Sequence, residues 1–553
     1  MGIRVDLAII SLLLPLAAVL LSVGCGGSSS QQVQIAPTVP APPPQTNTNV
    51  LTYHNDIART GQNLTETVLT HANVNSSSFG KLLSVPVDGK VDAQPLYVSQ
   101  VVFAGQGTRS VVYAATEHDS VYTIDANTGE VLWRVSLLGA GESPSDDRGC
   151  SQVTPEIGIT ATPVIDLTAG PHGTIYVVAM SKDDSGNYHH RLHALDITTG
   201  QEEFAGPMDI AATYPGSGDN SSNGQVVFDP KQYKARPGLL LLNGVVYTGW
   251  GSHCDFRPYT GWLIGYERLT LKQVRVFNFA PEGSEAALWN SGGGIAADSV
   301  TGRIFVAVSN GTFDTNLDAK SFPDKRDFGN AFVKLNTANG QLTPEDYWTM
   351  SNTVAESAQD QDLGSGGVIL LPDLQNAAGQ VTQLGTAAGK DGRLYVFNRG
   401  NMGKFNPQNN NALYQELPAA LGGPVFASPA WFNGTVYYGA VGDSIRAFSV
   451  NGAMLESQAV SSTDTLFGYP GATPSISANG TSDAILWAVE NANPAVLHAY
   501  DATNLAMELY NSKQANSSRD LFGPGNKFIT PTIADGRVIV GTTNSVAIFG
   551  LIK

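Results

Sequence analysis

Cysteine is almost missing from this chain: there are three in 553 residues, Cys25, Cys150 and Cys254. No zinc-spaced Cys/His cluster can be assembled from them, and no P-loop, HExxH or GxSxG motif stands out. Charge is sparse as well. Charged residues make up 14% of the chain, and 31 basic against 48 acidic residues give a net charge of −17. That balance argues against nucleic acid and anionic lipid as partners; the scattered acidic residues read as a solvated surface. No long amphipathic helix follows the first 25 residues. What is plentiful is glycine (59) and proline (30), set among short apolar runs that indicate many strands and tight turns. One large repeat β-domain fits this length as well as several domains do.

The N-terminus has the pattern of a targeting segment. Arg4 precedes an uncharged apolar run from Leu7 to Val23, interrupted by Pro15 and shorter than a comfortable membrane span. It ends in "LSVGCGG", which resembles the lipobox of bacterial lipoproteins, in which the cysteine, here Cys25, is lipidated. Ser22 departs from the usual aliphatic, and cleavage of an ordinary signal peptide nearby is the alternative. Gly26 after the cysteine resembles the outer-membrane-sorted class. From Gly26 to Val50 the chain is rich in Pro, Ser and Gln, and no Asp, Glu, Lys or Arg occurs between Asp6 and Asp56, the composition of an extended tether. The expected layout is a lipoprotein-type signal peptide at 1–24, a tether at 25–50 and a folded domain at 51–553, held at the bacterial cell envelope and facing the periplasm or the surface.

The folded part repeats. "VYTIDANTGEVLW" (Val121 to Trp133) recurs as "LHALDITTGQEEF" (Leu192 to Phe204) and "LHAYDATNLAMELY" (Leu497 to Tyr510), with weaker copies from Ile264, Val333 and Ile445. A small residue beside Pro or Gly, followed by an apolar run, starts at Ala93, Ala161, Ala235, Gly292, Gly364, Ala427, Ala472 and Ile529. Eight starts imply eight four-stranded antiparallel units. None can bury both faces of its sheet alone, so the units pack radially as an all-β propeller. Small residues suit the crowded innermost strand. The last unit lacks an outer strand, which "FGKLLSVPVD" from Phe79 can supply, closing the ring. Eight blades are expected, seven being the main competitor.

The Val121 stretch resembles the tryptophan-docking repeat of quinoprotein alcohol dehydrogenases and related pyrroloquinoline-quinone (PQQ)-like propellers. Asp125, Thr128, Gly129 and Trp133 match in place, with Thr123 at the position of the usual Ala. Ala194, Asp196, Thr199 and Gly200 match in the second copy. The resemblance runs from about Tyr53 to Lys553 and speaks for architecture; the motif's Asp, Thr and Gly shape a turn rather than a reactive centre. It implies PQQ and Ca²⁺ as possible cofactors, with an Asp as general base. The ring-forming Cys-Cys pair of many such dehydrogenases and the haem-attaching Cys-x-x-Cys-His of some are both absent, and the fold alone does not decide activity.

With Cys25 lipidated, Cys150 and Cys254 remain as an even pair in an oxidising compartment. Both fall in loops on one face of a propeller, so a disulfide is expected, two free thiols being the alternative. Asp119, Asp443, Asn544 and Asp391 recur at or near equivalent turns and read as turn chemistry. The non-repeating polar residues are the candidate ligand contacts: Glu117, His118, His253, Trp289, Asn290, Asn310 and Lys390. Carboxylates and amides among such residues suit a hard cation, and Trp289 suits a planar ligand. Asp255, Asp314 and Asp362 are the candidate bases. His54 and Arg59 read as packing beneath the ring. Two functions follow: a binding or scaffold module for an envelope protein or glycan, or a PQQ/Ca²⁺-dependent oxidoreductase acting on an alcohol or sugar.

Overall fold

The computed structural model describes residues 48–552; the signal peptide, Cys25 and most of the tether lie outside the described residues. Within them the chain is all-β. The one α-helix among the described residues is Thr353–Ala358, and no helix there is long and apolar enough to cross a membrane. Four-stranded antiparallel meanders dominate. The first runs Leu96–Phe103, Gly107–Ala115, Ser120–Asp125 and Val131–Ser136 in spatial order. Later meanders open with Val164–Asp166, Leu240–Leu242, Ala296–Asp298, Ile369–Leu370, Ala430–Phe432, Ser475–Asn479 and Thr532–Ala534. The sheet that opens last takes its outer strand from the other end of the chain. Phe79–Pro86 pairs antiparallel with Ser545–Leu551, Phe79 opposite Leu551 and Pro86 opposite Ser545. One strand edge is thereby covered and the chain ends are tied together.

The core is divided between neighbouring sheets. Val111 and Tyr113 of the first sheet pack with Ile165, Ile175 and Val177 of the second. Tyr97 and Val112 pack on their other side with Ile539, Val546 and Ile548 of the last. Each sheet is thus apolar on both faces, which is why its strands show continuous rather than alternating burial.

The repeated motif closes the first two of these units. Asp125 Oδ1 accepts the backbone N–H groups of Asn127 (2.8 Å) and Thr128 (3.0 Å), and Asp196 does the same for Thr198 and Thr199. Trp133 reaches the next sheet: Nε1 donates to Ile197 O at 3.1 Å, and its ring lies on Gly200, where a Cβ would stand 2.8 Å from the ring. The motif therefore docks one sheet against the next.

Residues 50–63 form an axle across one face of the ring. Val50 N donates to Tyr97 O (2.8 Å), and the N–H groups of Ile165, Ala297, Leu370, Trp431 and Ile476 donate to the carbonyls of Leu51, Ile57, Ala58, Thr60 and Gly61. Asn63 Nδ2 donates to Ile533 O. The remaining inner strand is reached by Arg59, wholly buried, whose guanidinium donates to Leu239 O (3.0 Å), Ile295 O (2.8 Å), Tyr53 O (2.9 Å) and Thr52 Oγ1 (2.7 Å). Inner strands facing a central axis present unpaired backbone groups, and this segment pairs with them in turn. At Gly294, a Cβ would stand 2.3 Å from Arg59 Nε. The glycine-rich "GGGIAAD" start is thus a matter of room around the axle.

Candidate functional site: an axial cleft

Ten residues line a narrow cleft of about 50 Å³ on the opposite face. All come from two loop types. Gln152, Arg236, Trp289, Asp362, Ser365, Phe426, Tyr469 and Lys527 precede an inner strand, whereas Asp255 and Lys390 join second and third strands. These loops share one end of every sheet, so residues scattered over 375 positions of sequence meet at the axis. A larger open groove, about 470 Å³ beside Tyr214 and Leu342, has Arg275 as its one charged lining residue and offers no comparable chemistry.

Aromatic rings and cations interleave in the cleft. The Arg236 guanidinium lies between two rings, 5.3 Å from the Trp289 centroid and 4.7 Å from that of Phe528. Gln152 Oε1 accepts its Nη1 proton at 2.8 Å. Lys527 Nζ sits 4.9 Å from the Tyr469 ring, and Tyr469 packs edge-on against Phe426. Neither Arg236 nor Lys527 forms an ion pair among the described residues. Burial first, then the charge of Arg236, pushes the Lys527 ammonium down to about 7. Burial likewise lowers Arg236. Lys390 is the neutralised cation, 2.6 Å from Asp362 and 2.8 Å from Asp360. Asp362, 3% exposed, also accepts the Asn310 backbone N–H at 2.8 Å. Burial pushes its carboxyl up to about 6 against the opposing pull of Lys390.

The sequence candidates divide sharply. Asp255, Trp289, Asp362 and Lys390 line the cleft; Asp255 accepts from Tyr259 Oη at 2.9 Å. Asn310 lies behind Asp362, its side-chain oxygen buried and unpartnered. The remaining candidates do not line the cleft. Glu117 is buried, taking the Gly158 N–H (2.8 Å) and the Thr160 hydroxyl (3.0 Å). Burial and the neighbouring Asp92 raise its pKa. His118 pairs with Glu156 at the partly exposed rim. His253, buried, bonds Asp147 O through Nε2 and holds a loop. Asn290 donates to Gly366 O. Asp314 caps its own loop through the N–H groups of Asn316 and Lys325, so a carboxylate proposed as a base instead organises backbone. Two of the turn residues bond backbone: Asp443 receives the N–H groups of Gly422 and Ser444, and Asp391 that of Arg393.

Sequence reasoning missed Arg236, Lys527, Tyr469, Phe426 and Gln152. A usable signal existed, because the first four sit within four residues of the small-residue starts at Ala235, Ala427, Ala472 and Ile529, and those starts fix which face each preceding residue reaches. Beside the cleft, Cys150 and Cys254 form a disulfide. It joins the loop carrying Gln152 to the loop carrying Asp255.

Fold and site together define a β-propeller with an axial, aromatic-walled, cation-bearing cleft. The chain belongs to the family described as "PQQ: Glucose/ethanol/alcohol dehydrogenase, beta-propeller domain", which matches residues 89–407. Its fold is similar to that of a quinohemoprotein alcohol dehydrogenase from Comamonas testosteroni (TM-score 0.60, 15% identity, covering 91% of this chain and 80% of that one). A second such enzyme, from Pseudomonas putida HK5, gives a TM-score of 0.61 at 15% identity over the same shares. A europium-containing methanol dehydrogenase gives 0.56 at 12% identity, covering 91% of this chain and 98% of that one. No curated protein matches the chain in sequence.

A calcium-held quinone, which the family implies, does not fit the cleft as it stands. One side of Trp289 rests on Gly251, where a Cβ would stand 2.8 Å from the ring, and the Arg236 guanidinium lies over the ring as well. Both Asp362 oxygens are engaged. Among the described residues no group of three or more His, Cys, Asp or Glu side chains is arranged to hold a metal ion.

Proposed function

We propose that this chain is a lipid-anchored, extracytoplasmic propeller of eight blades, laid out as signal peptide 1–24, tether 25–50 and propeller 51–553, that works as a binding module. Its ligand is a planar, anionic small molecule held in the axial cleft. One observation carries this reading: Arg236 and Lys527 share an aromatic-walled cleft with no carboxylate paired to either. The charge of Arg236 opposes the Lys527 ammonium, only partly offset by the buried Asp92, and a bound anion relieves that repulsion. The Phe426 and Tyr469 rings on the wall favour a flat ligand. The cleft favours a small molecule over the protein or glycan partner expected from sequence. Anchorage through Cys25 at the cell envelope is consistent with the entry of the chain at Thr48. There the Thr48 backbone N–H donates to Asp535 Oδ1 at 3.3 Å.

A second reading, an oxidoreductase acting on an alcohol or sugar, is favoured by the family match and by Asp362. Of the three candidate bases, Asp362 is the buried one that lines the cleft, and its pKa of about 6 leaves it ionised at neutral pH. The full chain titrated with PQQ, with and without Ca²⁺, and assayed for dye reduction with alcohols and sugars separates the two. Binding that is independent of Ca²⁺ and yields no reduction is expected. Ca²⁺-dependent reduction would install the second reading, and failure to bind any planar anion would remove the first.

A further inference from the structure

Lys527 is unlike the other cations of the cleft. Lys390 is locked between Asp360 and Asp362, and Arg236 is clamped between two rings and bonded to Gln152. Lys527 has only ring faces: Tyr469 at 4.9 Å and Phe528 at 5.8 Å from Nζ. It is partly exposed and lines the cleft. The charges facing it are Arg236, Lys90, Asp92 and the buried Lys234, with Asp255, Asp362 and Lys390 across the cleft. A lysine amine with no hydrogen-bonded carboxylate, set against two aromatic rings and near a second cation, keeps its lone pair available more readily than an exposed lysine does.

From this placement we propose that Lys527 is a covalent ligand-binding residue, condensing with the carbonyl group of an anionic aromatic aldehyde or ketone bound in the axial cleft. The proposal rests on the cleft-binding reading above. The Nζ lone pair attacks the carbonyl carbon, and a proton passes from nitrogen to oxygen. The resulting neutral carbinolamine takes one proton from solvent at its hydroxyl, which leaves as water, and a protonated imine remains. One C–N double bond replaces one C–O double bond, water is the leaving group, and no oxidant or reductant is required. Arg236 supplies the charge that holds the anionic end. The lowered Lys527 pKa supports the assignment, since the amine is half deprotonated at about pH 7.

The probe is pyridoxal 5′-phosphate, a planar aldehyde bearing a phosphate, applied to the full chain at pH 6 to 9. Binding is read by equilibrium dialysis, and imine formation by borohydride reduction followed by peptide mass spectrometry. One reduced adduct per chain is expected, at Lys527, with labelling that rises through about pH 7 and at least tenfold faster than at other lysines. Lys527→Arg keeps the charge and is expected to bind within about threefold of wild type while losing the adduct. Binding without an adduct at Lys527, or labelling spread evenly over surface lysines and unchanged in Lys527→Arg, overturns the lysine assignment alone. Absence of binding to both proteins overturns the cleft reading and this proposal together.

Discussion

Replacing Arg59 with methionine removes the guanidinium hydrogen bonds of the axle, four of them at 3.0 Å or shorter and a longer one to Asp56 O, while keeping most of the side-chain volume. Bonds from a charged donor contribute net about 1.5 kcal/mol each at the low end of the observed range, so the four amount to about 6 kcal/mol. Holding a guanidinium wholly out of water costs part of that. Burial brings its pKa down to about 10 from 12.5, and at ~1.4 kcal/mol per unit this offsets about 3 kcal/mol. The expected loss is therefore about 3 kcal/mol. With an unfolding entropy of about 2.1 cal/mol/K per residue, a domain of roughly 500 residues drops about 1 °C per kcal/mol, or about 3 °C in all. Scanning calorimetry of the full chain measures that shift. Hydrogen exchange adds a local readout, because the amides of Ala297, Leu370 and Trp431 bond the same segment and should exchange faster in Arg59→Met. An unchanged melting temperature with unchanged protection at those amides would refute the idea that residues 50–63 tie the inner strands together.

Four further outcomes are expected. Removing the disulfide with Cys150→Ser and Cys254→Ser opens a loop of 104 residues, worth about 4.7 kcal/mol in the chain-entropy model, and a denaturation midpoint equal to wild type would contradict it. His54 and His190 are buried with pKa values near 4 against 6.5. The unfolded chain takes up protons first, so their contribution is complete above pH 6.5 and is lost as pH falls toward 4, by about 3 kcal/mol each. His190→Gln should flatten the fall in urea midpoint between pH 7.5 and 4.5, and an unchanged slope would count against it. Affinity for a non-reactive planar anion should rise several-fold from pH 8 to pH 6 as Lys527 gains its proton; calorimetric titration of Lys527→Arg should show a flat profile. Cys25→Ser should move the protein from the membrane to the soluble fraction on cell fractionation, and retention in the membrane would dispose of the lipid anchor.

Much of the architecture was legible because propeller sheets are local structures. Each meander is built from strands adjacent in sequence, so Asp125, Gly129 and Trp133 announce their turn within nine residues and repeat it at Asp196 and Gly200. The closing strand at Phe79 was legible from an arithmetic shortage of strands at the C-terminus. The pairing of Cys150 with Cys254 followed from their loops sharing a face. The site was less legible. Asp255, Trp289, Asp362 and Lys390, picked out because they do not repeat, line the cleft, but the same test also admitted Glu117, His253 and Asp314, which bond backbone.

By itself, then, the sequence determined the repeat, the strand order and the face on which each loop lies, since those depend on contacts a few residues apart and on the sign of the sheet twist. Only the tertiary structure decided which loop residues reach the axis and which turn back into their own loops. Arg236, Trp289 and Phe528 are 53 and 239 residues apart in order and meet because three sheets converge there. Arg59 is an axle because inner strands from all around the ring leave carbonyls and N–H groups facing one line. Burial, and with it the state of Lys527 and Asp362, is a property of that convergence, and no single loop's sequence contains it.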